Sequence, residues 1–343
     1  MAGRVRARMP ETLIVRLPNW LGDTVMAVPT VRALRKARRQ ARLVLAGPWS
    51  GLFVKQDLAD VLVDYPRAWS GRMRAADTVR GLSADVAVLL PNSFEAAAAA
   101  WYWRARRRIG FAAGGRDWWL TDRVPLPSPR EHQIDEYRML LEPLGVRSSD
   151  AVPALTPPPS GGDERTTVRA LLAEAGAGGG PLIGVHLGAA FGPSKIWPVE
   201  RLAEFCALAR SDDAVPVLMG APDDEPLARA VTSRTDVASL VGRDRPDLLT
   251  ALLSELDVVV CGDTGVGHLA AALGTPVVTL FGPTDWRLTA PRGPAEVVRH
   301  PTPCSPCFYR ECPIDHPCLR GVTAVAVAER VRRLLVGAEA PTR

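Results

Sequence analysis

The sequence predicts an α/β protein made of two similar units in series, and three observations carry that expectation. The chain has 343 residues, which is long for one compact core. Short apolar runs of strand length alternate with helix-length amphipathic segments along most of it. A stretch rich in proline and glycine breaks the alternation between about residues 150 and 180, after which it begins again. The units expected are 1–165 and 175–343.

In the first unit, Thr12 to Leu17 reads as a buried strand. Asp23 to Arg38 follows as a helix, with Val25, Val28, Val31 and Leu34 on one face. Pro29 lies inside that pattern and predicts a kink or a later true start. Arg42 to Ala46 is a strand that Gly47-Pro48 ends, and Val61 to Val63 and Val86 to Leu90 are further strands. Tyr137 to Leu144 reads as the end of a helix. Strands separated by helices imply a parallel sheet covered on both faces.

The second unit repeats the scheme. Thr166 to Ala175 is a short helix, Leu182 to His186 a strand, Val199 to Arg210 a helix and Val215 to Met219 a strand. Pro246 to Leu253 is a helix, Asp257 to Cys261 a strand, Gly265 to Leu273 a helix and Pro276 to Phe281 a strand. Val322 to Leu335 is a late helix, with Val325, Val327, Val331 and Leu334 as packing positions.

Composition narrows the functional classes. Hydrophobic residues make up 47% and charged residues 23%, an ordinary globular balance that argues against disorder. The net charge is a modest +5. Arginines cluster at Arg4, Arg6 and Arg8 and again at Arg104, Arg106, Arg107 and Arg108, either as a solvated surface or as an attraction for phosphates or an anionic membrane face. No finger, RNA-binding or basic-zipper pattern is present, so nucleic acid is not an expected partner. The start of the chain does not read as a signal peptide, and the apolar run Ala96 to Tyr102 is too short to span a bilayer. The expectation is a cytoplasmic protein that touches a membrane surface.

Four stretches carry candidate chemistry, each at the end of a predicted strand, where open α/β sheets bind ligands. Leu17 to Asp23 contains Asn19, Trp20, Gly22 and Asp23; the carboxylate either caps the helix or faces a cleft as a general base. Leu90 to Ser93 offers Asn92 and Ser93, as helix caps or as polar groups facing an acceptor. His186 to Pro198 is glycine-rich and holds Ser194 and Lys195, suited to phosphate oxygens or simply solvated; it lacks the P-loop order. Gly262 to His268 joins a strand to a helix, so free N–H groups and the helix dipole at Asp263, Thr264 and Gly265 suit a diphosphate, with His268 one turn on. The bland alternative is an ordinary capped helix. Phe281 to Thr284 makes a second turn beside it.

Six cysteines complete the inventory. Cys206 and Cys261 have apolar neighbours and read as small core residues. Cys304, Cys307, Cys312 and Cys318 follow a C-x2-C-x4-C-x5-C spacing that admits a structural zinc or iron–sulfur centre, with His316 as a spare ligand, or free and packed thiols.

Together these motifs make the chain resemble glycosyltransferase family 9, the ADP-heptose:lipopolysaccharide heptosyltransferases. The resemblance runs from Pro18 to the late helix. It rests on Trp20-Leu21-Gly22-Asp23, Leu90-Pro91-Asn92-Ser93, Gly188 to Pro198, and Asp263-Thr264-Gly265 followed by His268-Leu269-Ala270-Ala271-Ala272. It implies a GT-B fold, two Rossmann-like domains facing across a cleft, with the last helix returning to the first. The implied activity is an inverting, metal-independent transfer from an ADP-heptose to the lipopolysaccharide inner core at the inner membrane surface.

By the resemblance, Asp23 is the base and Asn19, Trp20, Asn92 and Ser93 stand on the acceptor side. Lys195, with Ser194, lies at the donor diphosphate; Asp263, Thr264, Gly265 and His268 form the phosphate turn; and Asp224 matches the acidic group at the ribose. Two positions depart from the family pattern: Gly262 stands where a polar residue is usual, and Ala190 where an acidic one is frequent. Rival readings are a family member with another acceptor or nucleotide sugar, a nucleotide-sugar sensor without catalysis, and a metal-stabilised interaction protein.

Overall fold

The computed structural model describes residues 10–243 and 245–338, the last two by backbone alone. The cluster Arg4, Arg6 and Arg8 lies outside the described residues. The chain forms two compact units that divide between Ala151 and Val152.

The first unit begins with β1 (Thr12–Arg16), α1 (Leu21–Met26), α2 (Val28–Ala37) and β2 (Arg42–Gly47). It continues through β3 (Val61–Asp64), α3 (Trp69–Gly81), β4 (Val86–Leu89) and α4 (Phe94–Tyr102). β5 (Arg107–Phe111), β6 (Asp122–Val124) and α5 (Gln133–Met139) complete it. All six strands run parallel in the order β3-β2-β1-β4-β5-β6. Ile14 of β1 lies between Val44 of β2 and Ala87 of β4, at the centre of the core. The central strands β1, β2 and β4 are apolar almost throughout because helices cover both faces.

Pro29 decides the break in the first helical stretch. It sits in the first turn of α2, where an absent N–H costs nothing, so the single predicted helix becomes two that meet at Ala27. Val25, Val28, Val31 and Leu34 are all buried, as one apolar face requires.

The second unit holds α6 (Asp163–Glu174), β7 (Leu182–His186), α7 (Val199–Ser211), β8 (Val215–Met219), α8 (Glu225–Thr232) and β9 (Ala238–Ser239). Then come α9 (Leu249–Glu255), β10 (Val258–Gly262), α10 (Gly265–Leu273), β11 (Val277–Phe281) and α11 (Trp286–Thr289). β12 (Ala295–Arg299), α12 (Pro317–Arg320) and α13 (Ala324–Ala338) end the described chain. Its sheet, also parallel, has the order β12-β11-β10-β7-β8-β9. Segment 152–165, assigned from sequence to the first unit, belongs to the second: the Leu155 N–H donates to the Ala272 carbonyl, and α6 packs beside α9.

The late helix differs from expectation in two ways. Within the second unit, α13 packs on α7 and across β10, β11 and β12, with Val327 and Val331 in the core. Val325 points to solvent, because two residues before Val327 it falls on the opposite side of the helix. No helix among the described residues is long and apolar enough to cross a membrane.

Candidate functional site

Each sheet reverses its direction of growth at one place, and the four candidate stretches that follow β1, β4, β7 and β10 sit there. In the first sheet the reversal lies between β1 and β4, whose carboxyl ends release the segments with Asp23 and with Asn92-Ser93. In the second it lies between β7 and β10, which release the segments with Lys195 and with Asp263. At such a switch point neighbouring loops leave in opposite directions and open a crevice.

In the first unit, Trp20 rather than Asp23 is the N-cap of α1, and its side chain makes no capping bond. Asp23 therefore occupies the first turn, half-buried and close to Tyr137 of α5. Burial, and then the negative charge of Asp23, push the Tyr137 hydroxyl well above its usual pKa. The Trp20 ring is covered by the Arg67 guanidinium at 4.1 Å. Ser93 is the N-cap of α4 and accepts from the Ala96 N–H at 3.2 Å.

Two fully buried arginines hold these turns, and sequence reading missed both. Arg16, the last residue of β1, donates to the Leu17 carbonyl and, at 2.9 Å, to Asn19 Oδ1. Its guanidinium lies 4.6 Å from the Tyr65 ring centroid and 3.9 Å from Glu95. Burial lowers its pKa, partly offset by Glu95. Arg116 donates to the carbonyls of Phe111, Pro91 and Ser93 and, at 3.0 Å, to Asn92 Oδ1. Burial brings its pKa down to about 10. A charge ending an apolar strand was the available signal for Arg16; Arg116, after two loop glycines, had none.

In the second unit, Lys195 Nζ lies 2.5 Å from Asp263 Oδ2 and 3.1 Å from the Asp263 carbonyl oxygen. The same Oδ2 accepts from the Thr284 hydroxyl at 2.7 Å, and the ammonium sits 4.6 Å from the Phe191 ring centroid. Thr284, on the turn after β11, thereby joins the site. Thr264 is the N-cap of α10, with its Oγ1 buried and without a hydrogen-bond partner. Gly265 opens the helix, and His268 is buried one turn on. One cation, one hydroxyl and the free N–H groups of a helix start thus converge, a combination suited to a diphosphate.

Gly262 has a physical reason to be glycine. A Cβ there would lie 2.6 Å from the Lys195 carbonyl oxygen, so the two switch-point loops approach too closely for a side chain. Asp224 lies at the start of α8 and accepts the Ala221 N–H at 2.9 Å, with its carboxylate against the backbone of Gly188 and Gly220. Burial raises its pKa. It thus stands at the neighbouring strand end, apart from the Lys195–Asp263 pair but beside the same glycine-rich loop. At the start of that loop, burial lowers the His186 imidazole to about 4 and keeps it neutral.

Ser194 plays a different part from the one its sequence neighbours suggest. Its hydroxyl donates to the Tyr309 carbonyl at 2.6 Å and its N–H to the Arg310 carbonyl at 3.1 Å, so it anchors the loop. The cysteine segment supplies both carbonyls. That segment is itself pinned by the N–H groups of Cys307 and Phe308, which donate to the Pro283 carbonyl. Cys304 is exposed, Cys307 and Cys312 are half-buried and Cys318 is buried. Burial, and then the nearby thiols of Cys304, Cys307 and Cys312, push the Cys318 thiol up. Among the described residues no three His, Cys, Asp or Glu side chains stand together as a metal-ligand set. His316 donates its backbone N–H to Cys312 Sγ at 3.2 Å.

Residues 72–317 match the model of glycosyltransferase family 9 (heptosyltransferase). The chain is 25% identical to lipooligosaccharide heptosyltransferase 2 of Haemophilus influenzae, covering 80% of this chain and 84% of that one. It is 26% identical to lipopolysaccharide heptosyltransferase 2 of Escherichia coli, covering 81% and 85%. The solved E. coli ADP-heptose lipopolysaccharide heptosyltransferase II superposes with a TM-score of 0.79 at 24% identity, over 96% of this chain and 100% of that one. That likeness establishes the fold as GT-B, with two Rossmann-like units. The chain belongs to glycosyltransferase family 9, the heptosyltransferase family, and is a glycosyltransferase.

Proposed function

We propose that the protein transfers heptose from ADP-L-glycero-β-D-manno-heptose to the heptose of the lipopolysaccharide inner core, as a heptosyltransferase II, working in the cytoplasm at the inner membrane surface. The observation that carries this reading is the convergence of Lys195, Asp263 and the α10 N-terminus at the switch point of the second sheet. Relatives named heptosyltransferase 2 match most of the chain and support the choice of acceptor.

In the reaction, the acceptor hydroxyl oxygen bonds to the anomeric carbon as the bond from that carbon to the ADP oxygen breaks. Asp23 takes the hydroxyl proton. ADP leaves with a new negative charge on its terminal phosphate, and attack from the opposite face inverts the anomeric centre. Lys195 and the N–H groups of α10 stabilise that leaving charge, which is why no metal is needed for the transfer. Asp224 engages the ribose.

The test is transfer measured on defined acceptors with several nucleotide sugars. The expected result is turnover of ADP-heptose on an acceptor bearing one inner-core heptose and none on a heptose-free acceptor. Turnover confined to another acceptor or sugar sinks this reading, and donor binding without any product makes the protein a sensor.

A further inference from the structure

One face of the first unit displays aromatic rings that its fold does not need. Phe94 and Trp101, seven residues apart on α4, lie on the same side of that helix and both pack edge-on to Trp119, at 5.7 and 5.3 Å between ring centroids. Trp118 leans on Trp119 at 4.5 Å. The outer three rings remain open to solvent: Trp118 is 67% exposed, Trp101 57% and Phe94 50%. Isolated exposed aromatics are ordinary, but four in mutual contact form a patch of the kind that marks an interaction surface.

The charge around the patch is predominantly positive. From Trp101 to Arg123 the chain holds six arginines and two aspartates. Of these, Arg106 is taken by Asp85 and Arg107 by Asp122, and Arg116 is the buried turn-holder. Arg104 and Arg123 are exposed and Arg108 half-exposed, and none of the three pairs with a carboxylate among the described residues. Arg108 donates to the carbonyls of Trp119 and Ala105, and Arg123 to that of Asp117, so they are fixed at the edge of the aromatic cluster. The acids of these elements are drawn elsewhere: Glu95 lies against Arg16 and Arg72, Asp122 is held by Arg107 and Thr121, and Asp117 Oδ1 is buried.

We infer that this aromatic face, rimmed by Arg108 and Arg123, is where the protein rests on an anionic lipid bilayer. Indole rings favour the boundary between headgroups and acyl chains, and arginines beside them meet lipid phosphates. The face starts at the site's edge, since Phe94 directly follows Ser93, the cap on the acceptor side. It rests on the proposed reading that the acceptor is a membrane-anchored glycolipid, and it names the surface that reaches it.

The test uses the full chain and vesicles of phosphatidylethanolamine with phosphatidylglycerol, compared with phosphatidylcholine vesicles. Two double variants are made: W101S/W118S, and R108Q/R123Q, which removes the two arginines fixed at the edge of the cluster. Co-sedimentation should show about tenfold weaker partitioning for the tryptophan pair. The arginine pair should lose roughly 25-fold, about fivefold per arginine, on the anionic vesicles alone. Both variants should keep wild-type turnover on a lipid-free acceptor oligosaccharide while losing it on the same acceptor embedded in vesicles. Undiminished partitioning of both variants overturns the inference, as does a wild-type dimer that W101S/W118S converts to monomer, which would assign the face to a second copy. Failure of the wild type on every acceptor removes the functional reading instead, and vesicle partitioning is then judged separately.

Discussion

Lys195 and Asp263 form a close ion pair, with Nζ 2.5 Å from Oδ2, on loops that leave adjacent strands of one sheet. The pair is nearly buried, and Thr284 holds the carboxylate from the other side. Asp263 thus fixes where the ammonium stands. Replacing Lys195 by Ala should lower kcat about 100- to 1000-fold, the usual loss when one stabiliser of a developing charge is removed. Steady-state transfer kinetics check this, and the wild-type rate should not change when EDTA is added.

Gly262→Ala places a methyl group where the Lys195 carbonyl oxygen already lies. One of the two loops must move, at a cost of about 1–3 kcal/mol typical of overpacking. ADP affinity, measured by titration calorimetry, should fall roughly tenfold or more. Unchanged affinity would show that the glycine is not required by this contact.

Asp23→Asn keeps the size of the side chain and removes its ability to take a proton. Transfer should fall about 100- to 10,000-fold while ADP affinity stays at the wild-type value. Retained turnover in a direct product assay would reject Asp23 as the base.

Arg116→Met leaves three carbonyls and Asn92 Oδ1 without their donor inside the first unit. Unsatisfied buried acceptors cost about 1–3 kcal/mol each where water cannot reach them. Urea denaturation should show a loss of about 2–4 kcal/mol, and the acceptor KM should rise more than the donor KM.

His186 gives the fold a pH dependence. Its pKa is lowered from 6.5 to about 4 by burial, so between those values the unfolded chain binds more protons than the folded one. Stability therefore falls as pH drops through this window, by about 1–3 kcal/mol. Urea midpoints measured from pH 7 down to pH 4 should show this loss in the wild type and a smaller one in His186→Leu.

How much of this was legible in the sequence depends on where each residue ended up. Strands with both faces covered, such as β1, β7 and β11, announced themselves as apolar runs between turn residues. β6, with Asp122 and Arg123, and β12, with Glu296 and Arg299, escaped because edge strands bury one side only and keep charges on the other. β5 escaped as well, because it opens with two arginines, Arg107 paired with Asp122 and Arg108 bonded to backbone carbonyls. The positions of Lys195, Asp263 and Thr264 after strand ends were readable from local pattern. Their partners were not, because the bond from Ser194 to Tyr309 and the clash behind Gly262 join residues far apart in the chain. A buried arginine such as Arg116 is hidden for the opposite reason, since a lone charge reads as surface until its acceptors are seen.

The anchoring of Ser194 by Tyr309 and Arg310 also sets an order of assembly. The Ser194 hydroxyl and its acceptor are 115 residues apart. During synthesis the first unit can form as soon as its strands have emerged, since domains fold as units from the N-terminal end. The donor loop cannot: until Arg310 leaves the ribosome, Ser194 lacks both carbonyls that hold it. A nascent chain stopped after β12 but before Tyr309 would carry every residue of the phosphate turn and still have an unfastened lysine loop, so donor capture is the last competence this protein acquires as it is made.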